Sequence, residues 1–266
     1  MGIINVTPDS FYSGSRTPDA ESVESRVRRL VEEGADILDI GAYSSRPGAD
    51  DISPREEMKR LRTGMEAIRR TAPDTPVSVD TFRADVARYC VEELGADIIN
   101  DISGGMADSR MFATVATLKT PYILMHMRGT PQTMQQHCNY SDVTAGVIGE
   151  LSASLAILQE SGVTDIIIDP GFGFSKNLEQ NYKLLSDLPL IESALGHPLL
   201  VGVSRKSMIF RPLGITPDMA LNGTTVINTI ALLNGAAILR VHDVAAARQA
   251  ITLTGLLRSS HTTLAQ

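Results

Sequence analysis

The residues with chemical reach in this 266-residue chain stand at the ends of short apolar runs. Ile166, Ile167 and Ile168 lead straight into Asp169, and then into Pro170-Gly171-Phe172-Gly173-Phe174. Three β-branched residues in a row suit a strand buried on both faces, and such a strand has no need of a carboxylate. Asp169 is therefore either an acceptor for loop amides or a group held out to a ligand. The pattern recurs along the chain. Asn5 lies near the end of the run 2–6; Asp39 sits within 37–40, ahead of Ser44, Ser45, Arg46 and Pro47; Asp80 follows 77–79; Asn100 and Asp101 follow 98–99; His126 and Arg128 follow 122–125. The run 199–203 contains Gly202 and ends in Ser204, Arg205, Lys206 and Ser207, and 238–241 contains Arg240 and Val241 ahead of His242 and Asp243.

Asp80, Asn100 and Asp169, brought together, suit a planar heterocycle with amidine-like N–H donors, because a carboxylate accepts two parallel hydrogen bonds from such an edge. The same acids would also serve a metal, magnesium or manganese rather than zinc, although no His joins them at ligand spacing. Arg240 and His242 alternate along one strand and share a face, with Val241 turned the other way. A guanidinium fork beside an imidazole suits phosphate or pyrophosphate; the alternative is an Arg paired to an acid of the neighbouring strand. Gly202 leaves room for a flat ligand, with Lys206 and Ser207 just beyond it. The segments 5–11 and 44–49 are rich in Gly, Pro and Ser and read as lids over a site, or else as ordinary connections.

What must position these groups is a repeating unit. Eight apolar runs alternate with segments of helical apolar spacing, such as Val23, Val27 and Leu30, or Leu61, Met65 and Ile68. Further helices are expected near 109–119, 142–161, 178–194, 218–233 and 243–257. Strict alternation implies parallel strands with right-handed crossovers, and eight units favour a closed (β/α)8 barrel with its active site at the C-terminal strand ends. Gly34, Gly95, Gly162, Gly196 and Gly235 fall where helices should end. No G-x-G-x-x-G follows the first run, which argues against a dinucleotide-binding sheet. The chain reads as one domain, 1–266, whose first strand starts almost at once, so any residues plugging the barrel's bottom are short or lie upstream. Apolar residues make up 43% and charged ones 21%, enough for a sizeable core. The net charge of -7 argues against nucleic acid and anionic lipid as partners, and no run approaches a membrane span. Cys90 and Cys138 have no metal spacing and suit a reducing cytoplasm.

Seven segments carry a more specific signal: MGIINVTPDSF, GADILDIGAYSSRPGA, SVDTFRADVA, GADIINDISGG, DPGFGFSKN, LLVGVSRKSMI and RVHDV. In content and order they resemble the signature segments of the bacterial dihydropteroate synthase family, and they cover nearly the whole chain. The resemblance implies a TIM barrel that condenses 6-hydroxymethyl-7,8-dihydropterin pyrophosphate with para-aminobenzoate in folate synthesis, uses Mg²⁺, is a target of sulfonamides and often forms a homodimer. It implies that Asp80, Asn100, Asp169, Gly202 and Lys206 hold the pterin, that Asn5 contacts the metal, and that Arg240, Val241 and His242 line the pyrophosphate site. Ser45, Arg46, Pro47, Phe174 and Ser207 would surround the aminobenzoate; Lys206, Arg240, His242 and Asn5 would act in catalysis. The chain departs from the family at Ala42, Tyr43 and Ser45, and at Ser175 where Gly is common. Rival readings are a pterin-binding methyltransferase domain using methyltetrahydrofolate and a silent pterin-binding paralogue; a sugar-phosphate isomerase or aldolase is weaker, since no Lys sits mid-strand for a Schiff base.

Overall fold

Each apolar run forms a strand of three or four residues in the computed structural model, which describes residues 1–7, 20–43 and 51–262. The strands are β1 (Gly2–Asn5), β2 (Leu38–Gly41), β3 (Val77–Asp80), β4 (Ile98–Asp101), β5 (Tyr122–Met125), β6 (Ile166–Asp169), β7 (Leu199–Val201) and β8 (Ala236–Leu239). They pair in chain order, all parallel. A parallel bridge between Gly2 and Val241, with Val241 N–H donating to Met1 O, joins the last strand's end to the first and closes the barrel. The expected eight-unit barrel is the fold observed. It is held open at no edge, so no row of unpaired strand amides faces solvent.

The intervening segments form α1 (Ala20–Glu32), α2 (Pro54–Thr71), α3 (Ala84–Leu94), α4 (Met111–Leu118), α5 (Val143–Glu160), α6 (Leu178–Ser186), α7 (Leu188–Leu195), α8 (Ser207–Leu213), α9 (Leu221–Leu233) and α10 (Val244–Thr262). The five glycines expected at helix ends all have positive φ. Three features differ from expectation. The last strand begins two residues before the run 238–241 and ends at Leu239, leaving Arg240 and Val241 just past it. The single helix expected over 178–194 is broken at Asp187, because Pro189 in the first turn of α7 has no amide to continue the ladder of α6. The extra helix α8 follows β7, its first residue being Ser207.

Period-two alternation sorts each strand into an outer and an inner face. Outward residues such as Ile40, Val79, Ile99, Ile168 and Val201 pack against the helices in one continuous core, each contributing roughly 1.5–3 kcal/mol by burial. The fit there is close: a Cβ on Gly64 of α2 would lie 2.3 Å from Ile40 Cδ1. Inward, Met1, Ile98, Ile123 and Leu200 fill the lower barrel with Ile37, Ile167 and Ile238. Polar residues replace them toward the C-terminal ends. A third apolar cluster, of Ile102, Met125, Met127 and Met134 with Phe82 and Phe174, stands beside the mouth.

Candidate active site

The inner face places the sequence-selected residues on one floor. Asp80 is the register partner of Asn100 and of Gly41, and Asp169 that of Met125. Arg240 reaches across from the β8 end, donating from Nε to Asp39 Oδ2 at 2.7 Å and from Nη2 to Asp80 Oδ2 at 2.8 Å. Asn100 Nδ2 donates to Asp39 Oδ1 at 3.3 Å. The fork expected to stand open toward phosphate is thus held by two carboxylates, which is the ion-paired alternative of the sequence reading. Asp39, fully buried, is the residue that reading passed over. Its signal was an acid inside an apolar run, where a charge is stable only with partners. Burial works against the Arg240 charge, but Asp39 and Asp80 outweigh it and raise its pKa. Burial also dominates at Asp80 and, with Asp39 competing for the same guanidinium, pushes its carboxyl up against the pull of Arg240.

Asp169 is buried and plays both parts considered for it. Its Oδ1 accepts from Gly171 N at 2.8 Å, while Oδ2 accepts no hydrogen bond from the described residues. A Cβ on Gly202 would lie 4.0 Å from that Oδ2 and 3.7 Å from Arg240 Cβ, so the three border one hollow. Burial raises the Asp169 pKa and nearby Lys206 opposes it. Lys206 Nζ donates to Phe172 O at 2.6 Å and lies 4.6 Å from the centre of the Phe174 ring. Burial lowers its pKa to about 8.

His242 turns its Nδ1 to Ser204 Oγ at 3.0 Å, and burial, with Arg240 and Arg26 adding, lowers its pKa to about 4. It is neutral at pH 7. Val241 does not belong with the ligand residues: its side chain lies in the outer core, and its amide and carbonyl are both bonded to the β1 segment. The strand's alternation, which brings Arg240 inward, turns Val241 out. Ser45, Arg46 and Pro47 fall outside the described residues, as do most of the two segments read as lids. Tyr43, one of the departures, packs edge-on against Phe82 with ring centres 4.9 Å apart and lies under Arg83.

Two further groups were not picked out for the site, Lys176 and His126. Lys176 Nζ donates to Gly171 O, Phe174 O and His126 Nδ1, each at 3.0 Å. Only its place in a Gly-rich loop marked it in the sequence. Asn5 ends β1 half-buried, its carboxamide unbonded to any described residue. Among the described residues no three His, Cys, Asp or Glu side chains could hold a metal, so the acids are not a metal cage. A single neutral oxygen at the mouth does fit Mg²⁺, which keeps its waters and shares ligands with a phosphate group. No helix of the described residues is long and apolar enough to cross a membrane.

A closed barrel whose inner floor gathers Asp80, Asn100, Asp169 and Arg240, with Lys206 near Asp169, has the polar groups to recognise a flat, hydrogen-bonding heterocycle. The family described as pterin binding enzyme matches residues 1–242. The dihydropteroate synthase of Synechocystis sp. is 43% identical over 252 residues, 94% of this chain and 86% of that protein. The structure of Xanthomonas albilineans dihydropteroate synthase with 4-aminobenzoic acid superposes with a TM-score of 0.88 at 38% identity, covering 97% of this chain and 92% of that one. That of the Yersinia pestis enzyme with a sulfonamide drug gives 0.89 at 35% identity, over 97% and 93%. The chain belongs to the pterin binding enzymes and, within them, to the dihydropteroate synthases.

Proposed function

We propose that the chain condenses 6-hydroxymethyl-7,8-dihydropterin pyrophosphate with para-aminobenzoate to give 7,8-dihydropteroate and pyrophosphate. The observation that carries this reading is the Oδ2 of Asp169 beside Gly202, which accepts no hydrogen bond from the described residues, with the charge of Lys206 nearby. Asp169 accepts from the ring's amidine-like N–H edge, Asn100 supplies amide contacts, and Lys206 donates to the ring carbonyl. Asp80, its carboxyl raised by burial, is the holder of Arg240 best placed to exchange that ion pair for a ring N–H, freeing the guanidinium to face the departing pyrophosphate. His242, neutral and held by Ser204, adds a hydrogen-bonding group on that side.

The methylene C–O bond breaks, its electron pair leaving with pyrophosphate, and the dihydropterin delocalises the positive charge. The neutral aryl amine then forms the C–N bond and loses a proton, so no strong base is needed. The protein mainly stabilises departing charge and keeps water out. Asn5 would hold Mg²⁺ together with the pyrophosphate oxygens, and the ion would neutralise the leaving group's charge. A primary carbon isotope effect at the methylene as large as a tight in-line displacement gives would rule out this loose order of events.

The chain is further inferred to work in the cytoplasm as a homodimer. Val226, Ile230 and Leu233 of α9 and Leu253, Leu256 and Leu257 of α10 are exposed on adjacent helices, an apolar surface suited to a second copy. The decisive assay mixes the purified chain with the pterin pyrophosphate, Mg²⁺ and para-aminobenzoate. Amine-dependent formation of dihydropteroate with release of pyrophosphate is expected, and sulfamethoxazole should compete with the amine. Failure to form dihydropteroate, or turnover undiminished by a large excess of sulfamethoxazole at low para-aminobenzoate, removes the reading.

A further inference from the structure

The loop from Gly171 to Ser175 delivers Phe174 to the mouth, and its backbone is wound around an ammonium group. Gly171, Gly173 and Ser175 all have positive φ, and the carbonyls of Gly171 and Phe174 converge on Lys176 Nζ, 3.0 Å from each. The third donor goes to His126 Nδ1, also at 3.0 Å. With Lys176 charged, His126 accepts at Nδ1 and carries its proton on Nε2, which faces Glu150 Oε2 at 3.1 Å; burial lowers the Lys176 pKa to about 7, with Asp169 pulling against it. Lys176 is 3% exposed and every proton of its ammonium is used. It is sealed from ligand, so it neither attacks nor titrates a substrate. On the opposite side of the same loop Lys206 holds Phe172 O.

Asp169, two residues before Gly171, is fixed separately: its carbonyl accepts from His126 N at 2.9 Å within the barrel's strand pairing. Phe174 has no such anchor in the sheet. Its backbone is held by the turn bond from its amide to Gly171 O and by Lys176. Without the ammonium, two carbonyls that share it lose their common partner and repel one another, and the turn that aims the Phe174 ring loosens.

We propose that Lys176 is a positioning residue for the aminobenzoate half of the reaction, gathering the loop carbonyls so that Phe174 forms a fixed wall, with His126 and Glu150 locking the lysine in place. This rests on the dihydropteroate synthase reading of the site. In the Lys176→Met variant of this chain, which keeps the apolar stem and removes the donors, KM for para-aminobenzoate should rise on the order of tenfold. Calorimetric affinity for the pterin pyrophosphate should stay within about threefold of wild type. NMR of labelled histidine should find the His126 pKa raised, its cationic neighbour gone. A KM for the amine that does not move, or equal losses for both substrates, overturns the proposal. Should Lys176→Met not fold, His126→Gln, which leaves Lys176 two of its three acceptors, is expected to give the same split at about threefold, and its absence is equally fatal. A wild-type chain that makes no dihydropteroate overturns the reading beneath the proposal as well; an active one with an unsplit variant overturns the proposal alone.

Discussion

Lys206 and Lys176 hold opposite sides of one loop, and they differ in what they have left to give. Lys206 is half-buried at the mouth, makes one hydrogen bond among the described residues, to Phe172 O, and faces Asp169 and the Phe174 ring. Lys176 is enclosed and saturated by three acceptors. The acids divide the same way. Asp101 takes Ser103 N, Ser103 Oγ, Gly105 N and Tyr122 Oη, and is spent on the scaffold. Asp169 takes one loop amide and keeps an oxygen that accepts no hydrogen bond from the described residues. Spare hydrogen-bonding capacity in a buried polar group is costly unless a ligand fills it, so unspent groups mark the site and saturated ones mark its support.

The sharpest way to break that comparison is to remove the unspent acid. Asp169→Asn presents an amide donor to ring N–H groups, and pterin affinity should fall by about 3 kcal/mol, at least a hundredfold. Asp101→Asn should instead lower the thermal midpoint and leave the affinity of the folded fraction nearly intact. Calorimetric titration alongside thermal unfolding of both variants checks this, and a reversed pattern would mean that saturation says nothing about role. Next in size, Lys206→Ala should reduce kcat/KM by about a hundredfold with little change in thermal midpoint. Because burial sets the Lys206 pKa near 8, wild-type kcat/KM should decline as pH rises through about 8 while the ammonium loses its proton. The variant should lack that limb.

The barrel was legible in the sequence because eight buried strands leave eight apolar runs, and because helix-ending glycines are fixed by backbone geometry. The polar floor was legible in part. Asp80, Asn100 and Asp169 end their runs and betray themselves by position. Asp39 was set aside although its run, ILDIG, is as plain as the others, since whether an inward acid meets ligand or a neighbouring strand's arginine depends on the cross-barrel reach of Arg240. Lys176 was hidden for the opposite reason: a lysine in a Gly-rich loop ordinarily lies in solvent, and only three converging acceptors make its burial tolerable. Val241 was misplaced by proximity in sequence to two residues that its strand turns the other way.

A smaller effect is expected in the pH dependence of stability. His242 and His126, held neutral by burial at about 4 and about 3 against an ordinary 6.5, bind protons more readily when unfolded. Their stabilising contribution is complete above pH 6.5 and is lost as pH falls toward 4 and then 3, so urea midpoints should drop through that window. Lys176→Met removes a positive neighbour of His126, whose folded pKa then rises, and should blunt the acid loss relative to neutral pH. A steeper acid loss in the variant would contradict the arrangement of charges.

The smallest expected effect concerns Ser175, where the family commonly has glycine. Its φ of 46° is left-handed, a conformation that costs a residue with a Cβ about 1–2 kcal/mol. Its Oγ accepts from Arg128 N at 3.0 Å, tying the β5 loop to the β6 loop, a bond worth about 0.5–1.5 kcal/mol. The two terms oppose each other and are of like size, so Ser175→Gly should be near neutral, within about 0.5 kcal/mol of wild type by denaturant unfolding. Ser175→Ala keeps the strain and loses the bond, and should be destabilised by about 1 kcal/mol. If alanine and glycine prove alike, the hydroxyl is not what offsets the strain, and the loop's shape is set without it, by Lys176, Lys206 and Asn181.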